Sequence, residues 1–304
     1  MISIQNLSKR YKAVDALKSI SLEVNANELF GLIGPDGAGK TTLFRILTTL
    51  LIADSGKVLL NGLDPILDYK KIREMIGYMP GRFSLYQDLS VEENLNFFAT
   101  VFDTTIEENY DLIADIYKQI EPFKKRLAGR LSGGMKQKLA LSCALIHKPK
   151  ILILDEPTTG VDAVSRMEFW QMLKRLQQKG ITILVSTPYM DEASLCDRVG
   201  LIQNGQILTV DTPQNITNGF PKKLWAINAN NKFQLINDLR SHPKTATVYP
   251  FGEFVHVTTK ENEPEINEII SYLESKGNQG VYSEEIGASI EDCFMELMNT
   301  SINN

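Results

Sequence analysis

The segment from Leu29 to Thr41 constrains this chain more than any other part of it. Leu29-Phe30-Gly31-Leu32-Ile33 is a short apolar run of the kind that forms a buried parallel strand. Gly34-Pro35-Asp36-Gly37-Ala38-Gly39-Lys40-Thr41 follows at once and matches GxxxxGK[ST]. From Gly39 a helical spacing runs through Leu43, Ile46, Leu47 and Leu50. Strand, glycine loop and helix in that order open an α/β unit. Glycines let backbone N–H groups turn inward onto phosphate oxygens, and the helix aims its positive end at the same anion. Lys40 is expected to reach the β and γ phosphates, and the Thr41 hydroxyl to ligate Mg²⁺. Gly34, Asp36, Gly37, Ala38, Gly39, Lys40, Thr41 and Thr42 are the candidate nucleotide contacts. A glycine-rich turn before a helix is the plainer alternative, and the matching flanks on both sides argue against it.

A second element lies about 115 residues after Lys40. Ile151-Leu152-Ile153-Leu154-Asp155-Glu156 is an apolar strand ending in two carboxylates. Asp155 suits the Mg²⁺ shell, and Glu156 suits a general base that polarises the attacking water. Such an ending means little alone, since many exposed strand ends carry acids. Its position after a phosphate loop gives it weight.

The rest of the chain bounds the function class. With 304 residues, it suits one large domain plus a small one. Apolar residues make up 43%, enough for a sizeable core. The formal charge of −5 and the lack of a basic stripe speak against a nucleic-acid partner. Cys143, Cys196 and Cys293 stand apart without a CxxC, which fits a reduced, cytoplasmic setting. The opening MISIQNLSKR lacks the apolar block of a signal peptide. No apolar run approaches the roughly 18 residues of a membrane span, so any spanning part is expected on another subunit.

Periodicity supplies the coarse organisation. Residues 2–28 read as strands, 82–130 as a mostly helical insert, and Val164–Gly180 as a helix. Asn204-Gly205 between two apolar runs predicts a hairpin. Pro213, Gly219 and Pro221 weaken the pattern, and a domain boundary is expected there. The tail alternates strand and helix signals and reads as a small α/β sandwich without a catalytic constellation. Ser289 and Asp292 form a capping-box pattern before Phe294.

Leu131-Ser132-Gly133-Gly134-Met135 precedes another helical stretch. Alone it is a serine cap with a flexible glycine pair. Together with the phosphate loop and the ILILDEP segment, in this order and spacing, it resembles the ATPase domain of an ABC transporter. The resemblance covers about residues 1–215. The LSGGxxQ form through Gln137 is highly specific to that family. The whole chain resembles the ATP-binding subunits of drug-exporter-type ABC systems.

The resemblance implies an α/β fold: a P-loop ABC ATPase domain with a mixed sheet core, an antiparallel β subdomain and a helical subdomain at about 82–145. An accessory domain at 222–304 follows. It implies ATP and Mg²⁺ as cofactors, with Tyr11 stacking on adenine. It also implies a head-to-tail pair of ATPase subunits, identical or different. Ser132, Gly133, Gly134 and Gln137 of one subunit would face the nucleotide of the other, with Asp162 near the seam. A separate membrane permease is the implied partner, on the inner face of the membrane, with Arg82–Asn94 as the contact and Tyr86 and Leu89 as the candidates within it.

Two positions depart from the family pattern. Gly81 stands where a glutamine usually follows Tyr78-Met79-Pro80, and Pro188 where a switch histidine usually follows Val185-Ser186-Thr187. Proline offers neither a side-chain donor nor a backbone N–H. Loss of one preorganised donor typically costs about 3 kcal/mol, or roughly a hundredfold in rate. The expectation is weakened hydrolysis at this subunit's own site. A non-hydrolysing, ATP-gated regulatory subunit paired with an intact ATPase is the alternative. A soluble ABC ATPase acting on ribosomes or DNA is a weaker one.

Overall fold

The computed structural model describes residues 1–260 and 266–302. The chain divides into two compact units, one of Met1–Pro213 with the chain end from Leu297, the other of Gln214–Glu296.

The first unit opens with β1 (Ile2–Tyr11), β2 (Val14–Val24), β3 (Leu29–Ile33) and α1 (Lys40–Leu47). Strand β4 (Ser55–Leu60), α2 (Tyr69–Met75) and β5 (Ile76–Met79) come next. Helices α3 (Val91–Val101), α4 (Tyr110–Tyr117) and α5 (Gly133–Leu145) carry the helical region, while residues 82–90 are not helical. The unit closes with β6 (Ile151–Asp155), α6 (Ala163–Gln178), β7 (Thr182–Thr187), β8 (Arg198–Gln203) and β9 (Gln206–Asp211). Strands β8 and β9 form the hairpin expected around Asn204-Gly205.

Two sheets result. The antiparallel one has the order β2-β1-β4, the larger one β5-β6-β7-β3-β8-β9. The larger sheet is parallel except for β9. Every residue of β3, β6 and β7 is buried, as a sheet covered on both faces requires. Ile2, Ile4, Phe30, Phe44, Ile153 and Leu184 share one core that joins both sheets to α1.

This topology places the chemistry. Ile33 pairs with Thr187, and Asp155 with Ser186. The carboxyl ends of β3, β6 and β7 thus lie side by side, where open parallel sheets bind ligands.

Helix α1 is shorter than its apolar spacing suggests. Thr49 has φ of 61°, and the Leu50 and Leu51 amides fold back onto the Arg45 carbonyl at 2.8 and 3.1 Å. This left-handed residue ends the helix. It leaves Leu50 exposed instead of on the helical face.

The second unit holds α7 (Pro213–Asn218) from its second residue on, β10 (Leu224–Asn228), α8 (Lys232–Ser241), β11 (Thr245–Phe251), β12 (Phe254–Thr259), α9 (Ile266–Ser275), β13 (Tyr282–Ile286) and the start of α10 (Ile290–Ile302). Its sheet, β11-β12-β10-β13, is antiparallel throughout. Leu235, Leu239, Ile269 and Leu273 from the helices pack with Ile227, Val255 and Val257 from the strands. Ser289 and Asp292 cap α10 reciprocally, with the Asp292 amide donating to the Ser289 hydroxyl at 3.2 Å.

Candidate nucleotide site

The loop after β3 leads straight into α1. Gly39 stands at the helix N-cap with φ of 110°, a conformation that suits glycine. A Cβ there would lie 2.5 Å from the Ala16 carbonyl oxygen, so β2 passes directly over the loop. No side chain caps α1, so its first amides are available to a ligand.

A cavity of about 580 Å³ opens over this loop. Among the expected residues it gathers Tyr11, Gly37, Gly39, Lys40, Thr41, Thr42 and Glu156. Asp15 and Lys18 of β2 and Asn204 of the β8–β9 turn also line it, and sequence reading assigned none of them a role there. Asn204 was legible only as a turn residue. Its approach to the loop is set by β8 pairing with β3, with the Gly205 amide donating to the Ala38 carbonyl at 3.0 Å.

Gly34, Asp36 and Ala38 do not line this cavity. The Gly34 amide donates to the Thr187 carbonyl at 3.2 Å, and the Gly34 carbonyl accepts from Lys40 Nζ at 2.7 Å. Asp36 is exposed and the Ala38 side chain buried. Gly34 and Ala38 thus tie the loop to β7, to Lys40 and to the β8–β9 turn.

Lys40 is almost wholly buried. Its ammonium donates to the Gly34 and Pro35 carbonyls at 2.7 and 3.0 Å and lies 3.0 Å from Glu156 Oε1. Glu156 has φ of 49°, uncommon for a residue with a side chain, and is held there by its amide. That amide donates to the Ser186 carbonyl at 3.1 Å and to Ser186 Oγ at 3.0 Å. Ser186 Oγ in turn donates to Asp155 Oδ1 at 2.7 Å. Burial, then the charge of Asp155, pushes the nearby Tyr78 phenol up to about 12. Gly81 lies against the same strand end, since a Cβ on it would fall 3.1 Å from the Asp155 carbonyl oxygen.

Asp155 and Thr41 fit a magnesium site in donor chemistry. Both offer hard oxygen atoms, and Mg²⁺ ordinarily takes one or two protein oxygens along with phosphates and water. Among the described residues no group of three or more His, Cys, Asp and Glu side chains could hold a metal alone.

Ser132, Gly133, Gly134, Gln137 and Asp162 stand apart from the Lys40 cavity. Ser132 caps α5, accepting from the Met135 amide at 3.4 Å. Asp162 caps α6, accepting from the Ser165 amide at 3.0 Å, and that bond holds its carboxyl below the usual range. The two helix starts touch: a Cβ on Gly134 would lie 2.7 Å from Ser165 Oγ, and one on Gly133 would lie 3.5 Å from the Gly160 carbonyl oxygen. Gly134 and Gln137 line a small void with Thr158 and Ser165.

The ABC transporter family model matches residues 17–159. A probable multidrug ABC transporter ATP-binding protein, YbhF of Escherichia coli strain K12, is 45% identical over 221 residues. That match takes 71% of this chain, yet the chain spans only 38% of the length of YbhF. The linearmycin resistance ATP-binding protein LnrL of Bacillus subtilis is 34% identical, across 71% of this chain and 70% of its own. The Nod factor export ATP-binding protein I of Rhizobium sp. strain N33 is 31% identical over 301 residues, covering 97% of this chain and 96% of its own. This chain belongs to the ABC transporter ATP-binding proteins.

Solved structures agree on the ATPase fold. An ATP-binding subunit of an ABC transporter has a TM-score of 0.66 and 26% identity, across 72% of this chain and 93% of its own. The dimeric MJ0796 cassette has a TM-score of 0.63 and 27% identity, across 70% of this chain and 98% of its own. ABC ATPases of this kind bind ATP and generally hydrolyse it. Among the described residues, no helix of this one is long and apolar enough to cross a membrane.

Proposed function

We propose that this ABC protein binds and hydrolyses ATP to drive export through a separate membrane permease, which it meets on the inner face of the membrane. The single observation that carries the reading is the cavity in which Lys40, Thr41 and Glu156 converge beneath the Gly37–Gly39 loop. Export is the direction printed in the name of the Nod factor relative, while the names of the others print multidrug transport and linearmycin resistance.

In this reading the loop amides and the α1 N-terminus grip the polyphosphate, and Lys40 turns from Glu156 to the β and γ phosphates. Tyr11, at the cavity rim and 40% exposed, offers its ring face to adenine. Thr41 and Asp155 hold Mg²⁺, which supplies charge neutralisation on the phosphates. Glu156, freed from Lys40, accepts a proton from the attacking water. The bond formed joins water oxygen to the γ phosphorus, and the bond broken releases ADP.

The Ser132–Gly134 turn, Gln137 and Asp162 lie outside this cavity, which supports a role at the site of a second ATPase subunit. The start of α5 offers the positive end of a helix to an anion, although there, unlike at α1, the Ser132 side chain already caps the Met135 amide. Tyr86 is exposed and Leu89 half-buried, in a loop ordered by buried Asn94, whose amide nitrogen donates to the Tyr86, Leu89 and Ser90 carbonyls. That loop is the proposed permease contact. Residues 1–215 form the proposed ATPase domain and 222–304 an accessory one.

Gly81 and Pro188 support a slow site of this subunit's own, and a non-hydrolysing regulatory role is the second reading they favour. Calorimetry with Mg·ATP and a single-turnover assay on the purified chain test both. No Mg²⁺-dependent ATP binding by folded protein overturns the whole proposal. Binding without turnover selects the regulatory role, and ordinary transporter rates remove the slow-site reading.

A further inference from the structure

A carboxylate that the hydrolytic scheme does not use lies buried beside the strand ends. Glu192 sits on a short 3₁₀ helix, Met190–Leu195, and is 2% exposed. Thr158 Oγ1 donates to its Oε1 at 2.9 Å, and Thr187 Oγ1 donates to its Oε2. Arg166 Nε lies 3.6 Å from the same carboxylate and supplies the opposing charge.

Both hydroxyls lead to the reacting groups. Thr158 is two residues beyond Glu156. Thr187 is buried at the end of β7, directly before Pro188, and its Oγ1 also accepts from the Tyr189 amide at 3.0 Å. Its carbonyl accepts from the Gly34 amide at 3.2 Å, which opens the phosphate loop. Arg166 extends the same grouping, with its guanidinium 4.8 Å over the Tyr189 ring and 3.1 Å from Asp191.

A buried charge is costly unless paired and fully hydrogen-bonded, so an apolar side chain would fill this space at less expense. What an apolar side chain lacks is two acceptor oxygens that tie separate segments together. Proline at 188 adds to the need. The segment after β7 has no N–H at that residue and no side-chain donor to anchor it on the phosphates.

We propose that Glu192 is a positioning residue for hydrolysis. It fixes Thr187–Tyr189 against Glu156–Thr158, and through Thr187 it keeps the base in register with the phosphate loop. The inference rests on the hydrolytic reading of Glu156.

Full-length E192Q and E192A decide it. Glutamine keeps the shape but offers one acceptor oxygen in place of two, so one hydroxyl loses its acceptor and faces a donor instead. E192Q is expected to lower kcat about tenfold, the rate equivalent of one hydrogen bond, and E192A to lower it further. The dissociation constant for Mg·ATP should stay within about twofold, since no phosphate contact changes. Hydrogen exchange followed over residues 186–190 should quicken in E192Q, led by the Tyr189 amide. That exchange is read without turnover, so it judges Glu192 even if the wild-type chain proves inactive, a result that would count against the hydrolytic reading instead. Exchange over 186–190 matching wild type overturns the proposal. So does a kcat that falls only in step with nucleotide affinity and melting temperature.

Discussion

Lys40 Nζ stands 3.0 Å from Glu156 Oε1, so the cation that should hold phosphate and the carboxylate that should activate water neutralise one another across the cavity. Nucleotide binding must part them. Replacing Glu156 by glutamine removes both the base and the competitor for Lys40. E156Q is expected to lose at least about a hundredfold in hydrolysis, the typical contribution of a general base. Its affinity for Mg·ATP should equal or exceed wild type. Turnover at the wild-type rate would show that another group carries the base role.

Gly39 should tolerate no side chain. Its φ of 110° and the Ala16 carbonyl oxygen 2.5 Å from a Cβ both oppose one. A strained left-handed conformation alone costs about 1–3 kcal/mol. G39A should therefore melt at a lower temperature and bind Mg·ATP about tenfold or more weakly, because the loop amides are displaced. Calorimetry and thermal unfolding on the same sample check both effects.

Pro188 offers a gain-of-function test. P188H restores a donor at the end of β7, next to the Thr187 bond with Glu192. Hydrolysis should rise by up to about a hundredfold at saturating Mg·ATP, the scale of one preorganised donor. An unchanged rate would mean that position 188 does not limit the reaction.

The thiols should be inert. Burial pushes Cys143 and Cys196 well above the usual thiol range and Cys293 up to about 11. The thiolate is the reactive form, and raised values keep it scarce up to at least pH 8. A chromogenic disulfide reagent at pH 8 should label the native chain slowly and all three cysteines at once in denaturant. Fast labelling of the native protein would show an open thiol.

Burial also lowers His147 below the ordinary histidine value, against a weaker opposite pull from its 2.9 Å contact with the Ile76 carbonyl. The folded state then binds this proton less readily than the unfolded chain. Stability is lost as pH falls through the unfolded value of about 6.5. H147F, which can keep the stacking on Phe102, should flatten that part of the melting profile between about pH 7 and pH 5. A profile unchanged by the substitution would assign the loss to other groups.

The phosphate loop, the Asp155–Glu156 strand end and the Ser132–Gly134 turn were legible because each is a local device. Glycine spacing, apolar length and capping chemistry are written in neighbouring residues. The end of α1 was not, because the helical spacing continues through Leu50 while the left-handed Thr49 breaks the backbone. The roles of Asp15, Lys18 and Asn204 were hidden for another reason. Asn204 reaches the loop because β8 pairs with β3, and Asp15 and Lys18 because β2 of the other sheet packs there, its Lys18 amide donating to the Gly205 carbonyl at 2.7 Å; neither contact is encoded within a single strand.

By itself, then, the sequence determined the local devices: the glycine-rich loop, the two carboxylates and the serine-glycine turn follow from residue type and short-range order. Only the tertiary structure decided how they meet. The strand order β6-β7-β3 brings Glu156 to Lys40 across more than a hundred residues, and it seats Glu192 between Thr158 and Thr187. That order is chosen by burying both faces of the parallel strands at once, a collective property of the core that no single segment contains.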